Sequence, residues 1–341
     1  MIGYYVHHRG DGHVTRAASI AARFGAGQVT GLSSLPRPDG WEGGWIELAR
    51  DDDEAAGEAA EPAAGGALHW APLHHPGLRE RMGQIAAWVR DAAPALVVVD
   101  VSVEVSVAVR AMGVPVVVMG MPGDRRDAAH QLAYRVADAI VAPWPGWADP
   151  LAGGAAWRAK THAVGAISRF DGRSPGAALP PLDGRRRVLV LSGRGGTGLT
   201  AEALAAAERA TPDWAWTALG PPGDRWVADP WPRLLDADVV ITHAGQNAIA
   251  DLAAARRPAV VIPQARPHAE QRAMAAALRE SDLAIVRDTW PAAGAWPDLL
   301  ARAAGRDGGR WARWNDGAGA ARAASVLDLL STAASHACAP R

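Results

Sequence analysis

One cysteine, Cys338 in the closing stretch Ala334-Ser335-His336-Ala337-Cys338-Ala339-Pro340-Arg341, is all the thiol chemistry this 341-residue chain has. That excludes a disulfide framework and a cysteine-built metal site, and it fits a reducing cytoplasm. An excess of either charge is missing too: 35 Lys plus Arg face 36 Asp plus Glu, for a formal net charge of -1. No nucleic-acid partner acting through bulk electrostatics is therefore expected. No apolar run approaches the ~20 residues that cross a bilayer. Met1-Ile2-Gly3 enters a strand directly and His7 and His8 interrupt the apolar run, so no signal peptide is expected. Phenylalanine and tyrosine are scarce, at two and three, while tryptophan reaches fifteen. Tryptophan suits cores, cleft walls and membrane interfaces alike, which keeps peripheral contact with the inner face of a membrane among the alternatives.

What is present is a strand-turn-helix pattern that runs through the chain twice. In the first half, short apolar runs predict strands near Ile2 to His7, Gln28 to Leu32, Leu96 to Asp100, Val114 to Met119 and Ala139 to Ala142, with helices between them. Val103 to Val109 alternates like a strand, but two flanking parallel strands need a crossover, which predicts a helix there. The acidic Ala/Gly stretch from Asp51 to Gly66 has no apolar period and predicts a surface loop. The Gly/Pro/Arg-rich tract from Gly165 through Arg187 predicts an interdomain connection. The expected organisation is α/β throughout: a first domain over 1–165, a linker over 166–186, a second domain over 187–317 and a terminal helix and tail over 318–341.

Two strand-Gly-helix junctions carry candidate chemistry. In the second half, Ala237-Asp238-Val239-Val240-Ile241 leads through Thr242-His243-Ala244-Gly245 to the helical Gln246 to Ala255. Unpaired N–H groups and the positive end of the helix dipole make that terminus a seat for phosphate; Gly245 permits close approach, and His243, Gln246 and Asn247 add side-chain contacts. Asp251 suits the vicinal hydroxyls of a ribose, and Glu270 with Gln271, after the next strand, supply the same chemistry for a sugar. Such a junction occurs in every doubly wound fold; the acid at fixed spacing and the later Glu-Gln pair make this one more specific.

At the other junction Tyr4-Tyr5-Val6-His7-His8-Arg9-Gly10-Asp11-Gly12-His13-Val14-Thr15-Arg16 again joins a strand to a helix. Gly10 and Gly12 allow a tight backbone, and His13 falls at the helix start. Asp100, at the carboxyl end of an apolar strand, is a candidate to orient His13; Glu104 competes for that role, and a helix cap is the structural alternative for Asp100. His7, His8 and His13 find no carboxylate or cysteine at ligand spacing, so no metal is expected.

Residues 238 to 276 resemble the donor-site signature of two-domain GT-B glycosyltransferases, both the MurG type and the type with T-H-C-G-W-N-S followed by D-Q or E-Q. The resemblance implies two Rossmann-like domains flanking a cleft. It also implies that His243, Gly245 and Asn247 meet a pyrophosphate, Asp251 a ribose, and Glu270 with Gln271 the sugar. Ala248 and Asp251 depart from the pattern, which usually has a hydroxyl residue and a Glu there. The loop Ser192-Gly193-Arg194-Gly195-Gly196-Thr197-Gly198 resembles the Gly-rich loop that opens the MurG-type donor domain, where Ser192, Arg194 and Gly195 would face the phosphates. Gly-x-Gly-His-Val-x-Arg resembles the first loop of the same superfamily and also that of PseG-type nucleotide-sugar hydrolases.

The implied function is transfer of a sugar from a UDP- or TDP-linked donor to an acceptor hydroxyl, with inversion, His13 acting as base and no further cofactor. The acceptor is open, a lipid-linked one included. Hydrolysis of the nucleotide sugar and noncatalytic binding of it are the alternatives.

Overall fold

A computed structural model describes residues 1–52, 61–176, 184–193, 199–221 and 227–337. The first half builds β1 (Ile2–Val6), α1 (Asp11–Ala21), β2 (Val29–Ser33), β3 (Trp45–Glu47), α2 (Pro76–Ala92), β4 (Leu96–Asp100), α3 (Val103–Ala111), β5 (Val116–Met119), β6 (Gly123–Asp124), α4 (Ala128–Val136), β7 (Ala139–Ala142), β8 (Leu151–Ala152) and β9 (Thr161–Ala163). β1, β2, β4, β5 and β7 are buried at every position, the continuous apolar runs of strands covered on both faces. Seven strands form one parallel sheet in the order β3-β2-β1-β4-β5-β7-β9, with β6 and β8 paired apart from it.

The second half repeats the plan with β10 (Arg186–Leu191), α5 (Ala201–Ala210), β11 (Trp214–Leu219), α6 (Trp231–Asp236), β12 (Val239–Thr242), α7 (Gln246–Ala255), β13 (Ala259–Val261), α8 (Glu270–Glu280), β14 (Ile285–Val286) and α9 (Trp296–Ala304). Its five parallel strands run β11-β10-β12-β13-β14. The last helix, α10 (Gly319–Ala337), returns to the first unit, where Ala320, Ala323 and Leu327 pack among Ile2, Tyr4 and Leu96.

Both sheets change direction of winding beside their first strand: β1 lies between β2 and β4, and β10 between β11 and β12. In open parallel sheets the ligand crevice opens at the carboxyl ends of such strands. The fold therefore offers two crevices, one after β1 and β4 and one after β10 and β12.

Val103–Ala111 is helical, as the crossover requires, and Val103, Val105 and Val109 are buried on it. The short β3 is not among the expected strands, because three residues carry no readable period. The start of the interdomain tract is packed: Ala166, Ile167, Ser168 and Phe170 are buried, and Ala166 N–H donates to Trp314 O at 3.1 Å, while residues 172–176 and 184–186 are exposed. Among the described tryptophans only Trp147 is exposed, and its ring packs against buried Trp314. The others serve cores and half-buried walls. No helix among the described residues is long and apolar enough to cross a membrane.

Candidate functional site

The crevice of the first sheet holds His13 and Asp100 together. Asp100 ends β4 and is fully buried, while His13 sits in the first turn of α1, whose N-terminus at Gly10 carries no side-chain cap. Gly10 has φ 98°, a conformation that favours glycine. His13 Nδ1 donates to Asp100 Oδ1 at 2.9 Å. A carboxylate can only accept, so Nδ1 carries a proton, and in the neutral ring Nε2 keeps its lone pair. The cap of α3 belongs to Ser102, whose hydroxyl accepts from Val105 N–H, which removes the capping role from Asp100. Glu104 is engaged elsewhere: its Oε1 accepts the N–H groups of His69 and Trp70 at 2.7 and 2.9 Å, and Ser102 donates to Oε2.

Arg16, one turn beyond His13 on the same helix face, joins this pair. Its guanidinium donates to both oxygens of Asp100, at 3.1 and 2.5 Å, and is itself buried. Burial alone would raise the Asp100 carboxyl; Arg16 and then His13 hold it well below the usual carboxylate range. Arg16 Nη1 also donates across the cleft to Gln246 Oε1 in the second domain. In the sequence Arg16 stands out only within the Gly-x-Gly-His-Val-x-Arg pattern, and its spacing of three from His13 is the signal for a shared helix face.

At the second crevice α7 begins at Gln246 with Gly245 before it, and no side chain caps that terminus. Gly245 has φ -70°, open to any residue, and a Cβ there would meet nothing nearer than Gln271 Nε2 at 3.9 Å. Nothing in the protein alone demands glycine at that point. Gln246 Nε2 is buried with no hydrogen-bond partner among the described residues. Asn247 faces the first domain so closely that a Cβ on Gly12 would lie 1.9 Å from its Nδ2. Gly12 thus serves close approach of the two domains. His243 Nδ1 donates to Ile262 O at 3.0 Å, leaving Nε2 unprotonated in the neutral ring. Burial first lowers its pKa, and Arg266 adds to this against the Ile262 carbonyl.

The remaining candidate residues lie among partners within the protein. Asp251 is buried in α7 with both oxygens engaged by the interdomain tract, Ser168 Oγ at 2.7 Å and Arg169 Nε at 3.1 Å. Gln271 is buried and its Oε1 accepts Gln264 N–H at 2.9 Å, while Glu270 lies 3.6 Å from Arg125 of the first domain. Ser192 is buried at the end of β10, its N–H donating to Leu219 O. Arg194 and Gly195 lie outside the described residues.

Beside the His13 pair opens a cleft lined by Tyr5, His7, His8, Trp70, Arg81 and Glu104 among others. His7 links the two: its ring stacks on His8 at 4.8 Å and meets His13 edge-on at 5.8 Å. Burial, and then the charges that His13 and His8 would carry, lower the pKa of His7 to about 3. His7 is therefore a neutral wall of the cleft at any pH near neutrality. His8 is buried and 3.1 Å from Asp52, so both histidines of the pair border this cleft.

Residues 231–289 match the glycosyltransferase family 28 C-terminal domain, a span that contains α7, β13 and α8. No curated protein matches the chain. Among solved structures, the glycotransferase of kitacinnamycin superposes with a TM-score of 0.68 at 16% identity, over 96% of this chain and 98% of the other. The spinosyn rhamnosyltransferase SpnG in complex with thymidine diphosphate gives 0.60 at 17%, over 98% and 96%. MurG of Acinetobacter baumannii gives 0.59 at 16%, over 96% and 99%. The chain thus has the two-domain GT-B fold of glycosyltransferases, with a family 28 C-terminal domain model matched over residues 231–289.

Proposed function

We propose that this protein transfers a sugar from a nucleoside-diphosphate sugar to an acceptor hydroxyl, with inversion at the anomeric carbon. The observation that carries the reading is the pairing of His13 with Asp100 directly across the cleft from the uncapped N-terminus of α7, the two joined by Arg16 and Gln246. In this mechanism His13 Nε2 takes the proton of the acceptor hydroxyl as the oxygen attacks the anomeric carbon. The bond from that carbon to the pyrophosphate breaks, and the nucleoside diphosphate leaves against the N–H groups of α7. Asp100 keeps His13 in the right tautomer and stabilises the imidazolium. The open space at Gly245 and Gln246 Nε2, which has no partner among the described residues, are what a pyrophosphate would use. A uracil or thymine base is the reading for the nucleotide, in line with the thymidine diphosphate that SpnG holds. The cleft beside His7 is the place for the acceptor.

Purified protein with UDP, TDP and GDP sugars, followed by thermal shift and by released nucleoside diphosphate, tests this. Stabilisation by one nucleotide class with slow release in the absence of acceptor is the expected result. Rapid catalytic release to water would instead support the hydrolase to which Gly-His-Val-x-Arg is similar. Binding with no turnover in any acceptor panel would leave a binding protein.

His243 adds a pH dependence. Its Nε2 can donate to phosphate only when protonated, and in the free protein the ring is held neutral. Nucleoside diphosphate binding through Nε2 must therefore take up a proton, so affinity rises as pH falls from 8 to 6.5, by up to about tenfold per pH unit. Calorimetric titration in buffers of different ionisation enthalpy measures the uptake directly. Proton uptake that persists unchanged in His243→Ala would remove His243 from the contact.

A further inference from the structure

Three histidines gather at the seam between the domains, away from His13. His69 comes from the loop before α2, His130 from the first turn of α4, and His268 from the turn before α8 in the second domain. One nitrogen of each lies within 4.8 Å of the others. All three rings surround Asp127, the N-cap of α4: His69 Nε2 is 3.0 Å from Oδ1, and His130 Nδ1 and His268 Nδ1 are 2.6 and 3.8 Å from Oδ2. The ring centroids are 4.3 to 5.7 Å apart.

We propose that His69, His130, His268 and Asp127 bind a divalent ion of the zinc class, and that the ion ties the two domains together. Three imidazoles gathered within 4.8 Å, with the Asp127 carboxylate in contact with each of them, supply the donor types of a four-coordinate zinc site. Bonds of ~2.0–2.1 Å place tetrahedral ligand atoms about 3.3 Å apart, so the ion draws the rings inward from their present spacing. His69, His268 and Asp127 are each about one-third exposed, which gives an ion a way in.

The second-domain ligand is held in place by its backbone. His268 and Ala269 adopt φ 56° and 53°, left-handed values uncommon for residues other than glycine. The carbonyl of His268 fits against Gly123, where a Cβ would lie 2.3 Å from it. On the far side of His130, Arg125 Nη1 donates to Nε2 at 3.0 Å. Coordination through Nδ1 transfers the ring proton to Nε2, so Arg125 must release that contact; it keeps its bonds to Pro122 O and has Glu270 at 3.6 Å to receive it. The other group that gathers donors among the described residues, His8 with Asp51 and Asp52, is already served by cations, Arg50 on Asp52 and Arg81 on Asp51. That leaves the seam as the better site for a cation.

The test uses the full chain, free of any polyhistidine tag and stripped with a chelator, titrated with Co²⁺ and then Zn²⁺. One equivalent of Co²⁺ is expected to give the visible absorption of tetrahedral nitrogen and oxygen coordination, bleached by Zn²⁺, and Zn²⁺ is expected to raise the melting temperature. His69→Ala and His268→Ala should each weaken binding by at least roughly 10–100-fold, and His268→Ala should abolish the melting shift because the bridge between domains is gone. Metal-free melting curves and circular dichroism show whether each variant is folded, and His8→Gln should leave the titration unchanged. No tetrahedral Co²⁺ spectrum in the wild type, or one that survives both alanine variants or is lost in His8→Gln, would overturn the proposal.

Discussion

His13→Ala is expected to lower kcat by roughly 10²- to 10⁴-fold, the usual contribution of a positioned general base, while nucleoside diphosphate binding stays within about twofold. The two effects separate because the roles sit on different domains. His13 belongs to α1, and its Nε2 lone pair is fixed by the bond from Nδ1 to Asp100. The phosphate contacts belong to the start of α7, and the residue there that touches the His13 group directly is Gln246, through Arg16 rather than through His13. Alanine at 13 removes the base and leaves the Arg16–Asp100 pair whole. A steady-state assay with saturating donor, together with calorimetric titration of the nucleoside diphosphate, reads both quantities. Unchanged turnover in the variant would take His13 out of the mechanism.

That separation was partly legible before the fold was. Strands that are buried on both faces read as unbroken apolar runs, so β1, β4, β5 and β12 could be placed from sequence, and Gly245 before the helical run marked the start of α7. The pairing of His13 with Asp100 followed from a general property of parallel sheets, that strand carboxyl ends face the crevice. Contacts across the domain seam were a different matter. Asp251 meets Ser168 and Arg169, 83 and 82 positions away, and Gln246 meets Arg16, 230 positions away. No local period encodes such pairs. His69, His130 and His268 are likewise unremarkable one by one; only the packing of β6 against the turn before α8 brings the third beside the other two.

Asp100→Ala is expected to destabilise the fold by about 3–5 kcal/mol, because it strands the buried Arg16 guanidinium without a counter-charge. Arg16 spends three nitrogens on Asp100 and Gln246, and with the carboxylate gone it would keep only neutral partners, Gln246, His13 Nδ1 at 3.3 Å and the Met121 sulfur at 3.9 Å among them, none of which replaces the lost counter-charge. Chemical denaturation of the wild type and the variant measures the loss; less than about 1 kcal/mol would mean that solvent or a rearrangement reaches Arg16 after all. The pH dependence has a definite sign. The carboxyl is held below its unfolded value, so its stabilisation is present in full above the ordinary carboxylate range and is lost progressively as pH falls from that range through the depressed folded value, in strong acid. The wild type should therefore keep this contribution from neutral pH down to the ordinary carboxylate range, and the difference from the variant should shrink below it. Asp100→Asn divides the structural part from the chemical one. An amide keeps the shape and one acceptor for Arg16, but its NH₂ turned toward His13 would favour the tautomer with the proton on Nε2. In that variant the expected loss of kcat is again on the order of 10²- to 10⁴-fold, with a smaller loss of stability than alanine causes. Arg16 thus links folding to function: the charge that keeps Asp100 ionised also keeps His13 oriented, and its contact with Gln246 brings both to the edge of the phosphate seat.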